Sequence, residues 1–123
     1  MTNKLRILHV DDEPDILKVV KTILDKEGYD VVSAESGKDA LKEIVKNHFS
    51  LILLDVMMPD MSGWDLFTRI ADIKKGYKVI FLTVLEASTK KIKEMKKSGI
   101  KDYITKPFDR ADLVARVKKA IAS

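Results

Sequence analysis

The sequence predicts an α/β domain in which a parallel sheet lies between two layers of helices. Five short apolar runs alternate with five amphipathic stretches along the 123 residues. The runs are mostly apolar rather than alternating, as expected of strands that are covered on both faces. Right-handed crossovers between such strands give an open, doubly wound sheet. The length suits one domain, so we expect residues 1–123 to form a single unit with no second domain.

The first strand and helix are delimited by clear local signals. Residues 5–10 predict a strand, and residues 13–27 carry apolar side chains at helical spacing. Pro14 falls in the first turn of this helix and Gly28 follows its last turn, positions that favour these two residue types. A second strand is expected over residues 31–34.

The middle of the chain predicts a helix, a strand and a loop. Ser36 is a candidate N-cap for a second helix that runs to about His48. Residues 51–55 predict the third strand, and residues 57–63 predict a loop because they contain proline and glycine. The side chains expected on the buried face of the second helix are Ala40, Leu41, Ile44 and Val45.

The second half repeats the alternation. Helices are expected over residues 64–74 and 88–98, and strands over residues 78–83 and 100–105. Asp109 is a candidate N-cap for a fifth and last helix.

Polar residues follow the predicted strands at the point where each strand ends. Asp11 and Asp12 close the first strand, Asp55 the third, Thr83 the fourth and Lys106 the fifth. Ligands of such sheets bind at this edge. Carboxylates that lie close together need a cation, and oxygen ligands suit Mg²⁺, with Mn²⁺ as an alternative. Zinc is disfavoured because the chain has no cysteine and its two histidines are not paired. A lysine and a hydroxyl beside this nest suit a phosphoryl group, which an Asp carboxylate can accept as a nucleophile.

Each of these residues also has a plainer explanation. An Asp at a strand end is often a turn former or a helix cap, and Asp11 and Asp12 could simply begin a helix. Thr83 could be a β-branched strand residue and Lys106 a solvated loop residue. Their joint occurrence at the strand ends favours the phosphoryl site.

Four segments together resemble a known family. They are Ile-Leu-His-Val-Asp-Asp-Glu at 7–13, Leu-Leu-Asp-Val-Met-Met-Pro-Asp-Met-Ser-Gly at 53–63, Phe-Leu-Thr at 81–83 and Asp-Tyr-Ile-Thr-Lys-Pro-Phe at 102–108. This pattern is similar to the response-regulator receiver domain of two-component signal transduction, and it covers essentially the whole chain. The resemblance implies a flavodoxin-like (βα)5 fold with strand order 2-1-3-4-5, a receiver without an effector domain, and a cis bond before Pro107.

The resemblance also implies roles in the site. Asp55 would be the phosphoacceptor, receiving the group from the phosphohistidine of a sensor histidine kinase. Asp12, Asp55 and the backbone carbonyl of Met57 would ligate Mg²⁺, and Asp11 would act largely through bound water. Lys106 would pair with the phosphoryl oxygens.

A switch is implied behind the phosphoacceptor. Thr83 would hydrogen-bond the phosphoryl group and Tyr103 would rotate inward behind it. Val84 is larger than the small residue usual at its position, which predicts slower exchange with donors. Met57 and Leu85 are apolar where family members differ, so we expect slow self-dephosphorylation.

Charge is concentrated in the last third of the chain. Residues 88–123 hold eleven basic against four acidic residues, net +7. The surplus is either a solvated helix face or a docking surface for an acidic partner; nucleic-acid binding is disfavoured because interleaved aromatics are missing. In the family this stretch is the signalling face, where an acid such as Asp102 pairs with a base such as Arg116 across a two-fold axis. Lys101 stands where another acid is common, so we expect a monomer or a weak dimer promoted by phosphorylation.

Three other side chains are expected to be structural. Trp64 is interpreted as a packing aromatic rather than a kinase contact. His9 is interpreted as a hydrogen-bonded strand residue rather than a phosphate relay, and His48 as a surface residue.

Four functions compete. The leading hypothesis is a phosphoryl-accepting signalling module, cytoplasmic and without membrane contact, that binds a downstream protein not named by the sequence. It catalyses only its own phosphorylation and dephosphorylation, so it is not a turnover enzyme. An Asp-nucleophile hydrolase would need an acid where Met57 stands, and a pseudo-receiver would lack Asp55 or Lys106. The chain could also be a receiver fragment of a larger DNA-binding regulator or hybrid kinase.

Overall fold

Five strands alternate with five helices over residues 4–123, the part of the chain that the computed structural model describes. All strand pairs are parallel, and the sheet order is β2-β1-β3-β4-β5, which confirms the predicted topology. The strands are β1 (Arg6–Val10), β2 (Asp30–Ala34), β3 (Leu51–Leu54), β4 (Val79–Thr83) and β5 (Ile100–Thr105).

The helices cover both faces of the sheet and begin at side-chain caps in four of five cases. Ser36, Ser62, Ser88 and Asp109 each accept a hydrogen bond from the backbone N–H three residues later. The helices are α1 (Pro14–Lys26), α2 (Gly37–Lys46), α3 (Gly63–Ile73), α4 (Thr89–Lys97) and α5 (Arg110–Ala122). None of those formed by residues 4–123 is both long enough and apolar enough to cross a bilayer.

The core consists of two layers, one on each face of the sheet. Alternation along β1 sends Leu8 and Val10 to the layer under α2 and α3, and Ile7 to the layer under α1 and α5. The predicted inward position of Val45 is wrong, since 74% of its surface is exposed. α2 buries a narrower stripe, which includes Ala40 and Ile44, and Val45 lies outside it.

Candidate functional site

Three carboxylates meet at the carboxyl edge of the sheet. β1 and β3 are neighbours in register, with Val10 beside Leu54, so the residues that follow them emerge together. Asp11, Asp12 and Asp55 each offer a carboxylate oxygen, and these oxygens lie within 4.8 Å of one another. Asp11 and Asp55 are buried and Asp12 is exposed. The predicted acidic nest is therefore present.

Lys106 reaches into this nest from the end of β5. Its Nζ donates to Asp11 Oδ2 at 2.6 Å and to Asp55 Oδ2 at 3.4 Å. Its backbone N–H donates to the carbonyl of Thr83 at 2.7 Å, which ties the segment to the end of β4. Burial acts to lower the pKa of Lys106, but the bonds and charges of Asp11 and Asp55 outweigh it, so the pKa is raised. The ammonium group is therefore charged at neutral pH, and the peptide bond that follows it, before Pro107, is cis as expected.

The nest carries more negative than positive charge. Burial raises the pKa of Asp11 above its ordinary value although the hydrogen bond from Lys106 opposes the shift. One ammonium group faces three carboxylates among the residues described. A hard divalent cation suits this set of oxygen donors and would neutralise the remaining charge. Asp12 and Asp55, which face the open side of the nest, are the side chains best placed to hold such an ion with the carbonyl of Met57.

The loop between β3 and α3 is held by contacts that the sequence analysis did not identify. Asp55 Oδ1 accepts the backbone N–H of Met57 at 3.1 Å. Gly63 packs so closely on the Asp55 carbonyl that an added Cβ would overlap it. Asp60 accepts the N–H groups of Gly37 at 3.2 Å and Lys38 at 3.0 Å, at the start of α2.

Asp60 therefore joins the loop to the second helix. Burial acts to raise the pKa of Asp60, but hydrogen bonds from the N–H groups of Lys38 and Gly37 hold it below its ordinary value. Sequence alone marked this segment only as a loop, because the partners are 22 and 23 residues away.

The two residues of the expected switch lie behind the nest. Thr83 is buried at the end of β4, and its Oγ1 accepts the N–H of Leu85 at 3.4 Å. Tyr103 is only 6% exposed, packs edge-on against Phe81 and donates its hydroxyl to the carbonyl of Leu85 at 2.6 Å. Burial, with the Asp55 charge, raises the pKa of Tyr103, so the phenol is a hydrogen-bond donor at neutral pH. The structure shows Tyr103 in the inward position.

His9 lies below the nest and differs from its expected state. It is fully buried, and neither ring nitrogen has a hydrogen-bond partner in residues 4–123, so the predicted hydrogen bond is wrong. Burial, with the nearby charge of Lys106, lowers its pKa from 6.5 to about 3. His9 is therefore neutral at physiological pH.

Apolar side chains surround the open side of the nest. Met57 is 56% exposed, Val84 59% and Leu85 39%. Trp64 stacks on Phe67 with ring centroids 5.6 Å apart, in agreement with the packing interpretation, although its outer edge is exposed. His48 is exposed, as expected.

Comparison with known proteins gives a consistent match. A family model described as the response regulator receiver domain matches residues 7–118. The transcriptional regulatory protein TrcR of Mycobacterium tuberculosis is 35% identical over 93% of this chain and 44% of its own length. The uncharacterized transcriptional regulatory protein YkoG of Bacillus subtilis is 36% identical over 96% of this chain and 51% of its own length. The chain thus spans about half the length of the curated relatives it matches.

Solved structures match over nearly their full length. A CheY-like response regulator receiver domain protein from Methanospirillum hungatei superposes with a TM-score of 0.87 at 34% identity, covering 98% of this chain and 95% of that one. The response regulator protein TrrA from Thermotoga maritima, solved in complex with Mg²⁺ and BeF, has a TM-score of 0.80 at 36% identity, covering 94% and 98%.

Proposed function

The chain belongs to the response regulator receiver domain family, and on that premise we propose that Asp55 accepts a phosphoryl group from the phosphohistidine of a sensor kinase. One observation carries the proposal. The ammonium group of Lys106 lies between the buried carboxylates of Asp11 and Asp55, at 2.6 and 3.4 Å. A positive charge fixed beside a carboxylate nucleophile is what transfer of a negatively charged group requires.

The chemistry assigned to each residue follows from its position. An oxygen of Asp55 forms a bond to phosphorus while the bond from phosphorus to the donor imidazole breaks, and the electron pair of that bond returns to the imidazole. Lys106 stabilises the charge on the phosphoryl oxygens. Asp12, Asp55 and the carbonyl of Met57 would hold Mg²⁺, or Mn²⁺ in its place, and Asp11 would act on it through water. When bound, the ion supplies further neutralisation of the charge on the acidic nest and the phosphoryl group.

Self-modification rather than turnover follows from the residues around Asp55. Met57 stands where a second acid would be needed to protonate a leaving group, so no external substrate is processed. Met57 and Leu85 are exposed but apolar, and neither can orient a hydrolytic water by hydrogen bonding. The acyl phosphate is therefore long-lived, with decay measured over minutes or longer after removal of the donor. Complete loss within seconds would contradict this.

Phosphorylation acts as a switch on the face built by α4, β5 and α5. The added group, with about two negative charges, attracts the hydroxyl of Thr83. A shift of Thr83 alters the β4–α4 loop, to which Tyr103 is bound through the carbonyl of Leu85. Both side chains belong to a packed, hydrogen-bonded set, so one rearrangement is transmitted to β5.

Labelling by acetyl phosphate tests the chemistry without a kinase. With Mg²⁺ the wild type should gain one phosphoryl group, seen by intact mass, and Asp55→Ala should gain none. Asp65→Asn, which removes an exposed acid in the first turn of α3, is the matched control and should label as the wild type does. Equal labelling of Asp55→Ala, or labelling that persists in excess chelator, would refute the assignment.

A second candidate is that this receiver is one unit of a larger DNA-binding regulator or hybrid kinase. The observation that favours it is that the chain spans about half of relatives named as transcriptional regulatory proteins. In that setting the same switch would control an attached effector. Fusing the chain to a DNA-binding domain of such a relative, with and without Asp55→Ala, tests whether phosphorylation can be coupled to binding of promoter DNA.

A further inference from the structure

A small cavity opens on the face formed by α4, β5 and α5. Its volume is about 210 Å³, and its walls include Lys96 from α4, Lys101 and Asp102 from β5, and Arg116 and Lys119 from α5. We call it the lysine slot. It is large enough for one short side chain and too small for a drug-sized ligand.

The positive charge of the lysine slot is uncompensated. Over residues 4–123, the side chains of Lys96, Lys101 and Lys119 form no salt bridge within 4.0 Å. Arg116, in contrast, is held at 3.0 Å by Asp102 and at 2.9 Å by Asp112. The pair of Asp102 and Arg116, expected from the resemblance to form across a two-fold axis, is thus made within one chain. The inner wall of the slot is fixed by this pair while its mouth remains cationic.

α4 extends the same cationic surface. The helix has five lysines, one acid and no fully buried residue. Only Ile92 and Met95 are half-buried, packed against the core layer under α2 and α3. A helix that is so weakly embedded and so strongly charged is typical of a surface that meets a partner of opposite charge.

We propose that the lysine slot receives an Asp or Glu side chain from an acidic segment of a downstream partner protein. This inference rests on the proposed function, in which the same face is switched by phosphorylation. Three lysines around one cavity can surround a carboxylate with charge-assisted hydrogen bonds. The fixed Asp102 in the wall tolerates a single negative charge better than a doubly charged phosphate. No aromatic side chain lines the slot on which a base could stack, which disfavours nucleic acid.

A second copy of this chain fits the slot poorly. A two-fold contact would bring the same surface of each copy together. That surface belongs to a stretch with net charge +7, so two copies would place like charges in contact.

The slot is connected to the phosphorylation site by hydrogen bonds. Asp102 Oδ1 accepts the N–H of Tyr103 at 2.8 Å, and Arg116 Nη1 donates to the carbonyl of Tyr103 at 3.3 Å. The hydroxyl of Tyr103 binds the carbonyl of Leu85, next to Thr83. The inner wall therefore moves with Tyr103, and partner affinity depends on the state of Asp55.

Binding of a fluorescein-labelled peptide of alternating Glu and Leu, followed by anisotropy, tests the proposal. The same peptide with Gln in place of Glu is the ligand control. Reversal of the slot charges in Lys96→Glu/Lys101→Glu/Lys119→Glu should weaken binding at least tenfold, since each exposed pair contributes about two- to fivefold. The matched variant, Lys18→Glu/Lys26→Glu/Lys42→Glu, makes the same net charge change on α1 and α2 and should bind within about twofold of wild type.

Further arms separate the possible outcomes. Beryllofluoride with Mg²⁺, which mimics the phosphoryl group, should change the affinity of the wild type and not that of Asp55→Ala. Equal loss of binding in both triple variants would show general charge attraction and overturn the slot. Tighter binding of random duplex DNA or of vesicles with anionic lipid, abolished by the slot variant, would replace the partner protein by that polyanion. Acetyl phosphate labelling of the slot variant checks its fold, and labelling without peptide binding would refute this inference while the proposed function stands.

Discussion

Neutralising the phosphoacceptor should stabilise the metal-free protein. Asp55 lies within 4.8 Å of both Asp11 and Asp12, whereas a single ammonium group, that of Lys106, compensates it at 3.4 Å. Asp55→Asn keeps the shape of the side chain and an oxygen for the N–H of Met57. It removes one charge from a cluster in which repulsion exceeds attraction.

The magnitude follows from these distances. With an effective dielectric constant of about 20, each neighbouring carboxylate repels Asp55 by about 3.5 kcal/mol and Lys106 attracts it by about 5 kcal/mol. The balance predicts that Asp55→Asn raises the free energy of unfolding by about 2 kcal/mol at low salt. Mg²⁺ reverses the order, because an ion at 100 times its dissociation constant stabilises the wild type by about 2.7 kcal/mol and the variant much less.

Urea unfolding of both proteins, with chelator and then with Mg²⁺, measures the two differences. Asp72→Asn removes an exposed carboxylate from α3 and should change the free energy of unfolding by no more than about 0.5 kcal/mol in either condition. If Asp55→Asn is less stable than the wild type in chelator, repulsion does not dominate the cluster. If Mg²⁺ stabilises wild type and variant equally, Asp55 does not hold the ion.

Three further substitutions test the supporting structure by urea unfolding. Gly63→Ala forces a Cβ against the Asp55 carbonyl and should cost about 2–3 kcal/mol with loss of phosphorylation, whereas Gly28→Ala, at φ +91° in open space, should cost about 1 kcal/mol and label normally. Asp60→Ala leaves two N–H groups of α2 unpaired and should cost about 1–2 kcal/mol above pH 5, a difference that shrinks as Asp60 is protonated below pH 4. His9→Leu removes a group that must be neutral when folded, so relative to the wild type it should gain about 2.5 kcal/mol between pH 7 and 4.5. A gap between the His9 variant and wild type that is the same at both pH values would refute that pKa.

Local signals made the element boundaries predictable. Ser36 and Asp109 were expected as caps, and each accepts the N–H of the third residue after it at 3.1 Å. The apolar runs identified the strands because a sheet covered on both faces tolerates few polar side chains. The crossover rule then placed their carboxyl ends at one edge, which is why the residues of the nest could be named without coordinates.

Contacts between distant segments were beyond the sequence. The partner of Asp60 is the start of α2, and no local pattern indicates that this loop folds back on that helix. The exposure of Val45 depends on how far α2 turns toward the sheet, which its own periodicity does not specify. For His9, the sequence predicted burial but not that its neighbours would leave both ring nitrogens without a partner.

The two adjacent carboxylates after β1 take different parts because strand geometry separates them. Consecutive side chains point to opposite sides, so Asp11 follows Ile7 and His9 toward the layer under α1 and α5, where it is buried, and Asp12 faces solvent. Both oxygens of Asp11 are occupied, one by the N–H of Glu13 at 2.9 Å and one by Lys106. Among the described residues no side-chain hydrogen bond engages Asp12, so it can take a cation without breaking an existing contact. The Asp-Asp pair thus supplies one fixed acid that positions the lysine and one free acid for the ion, and exchanging their roles would require the strand to turn over.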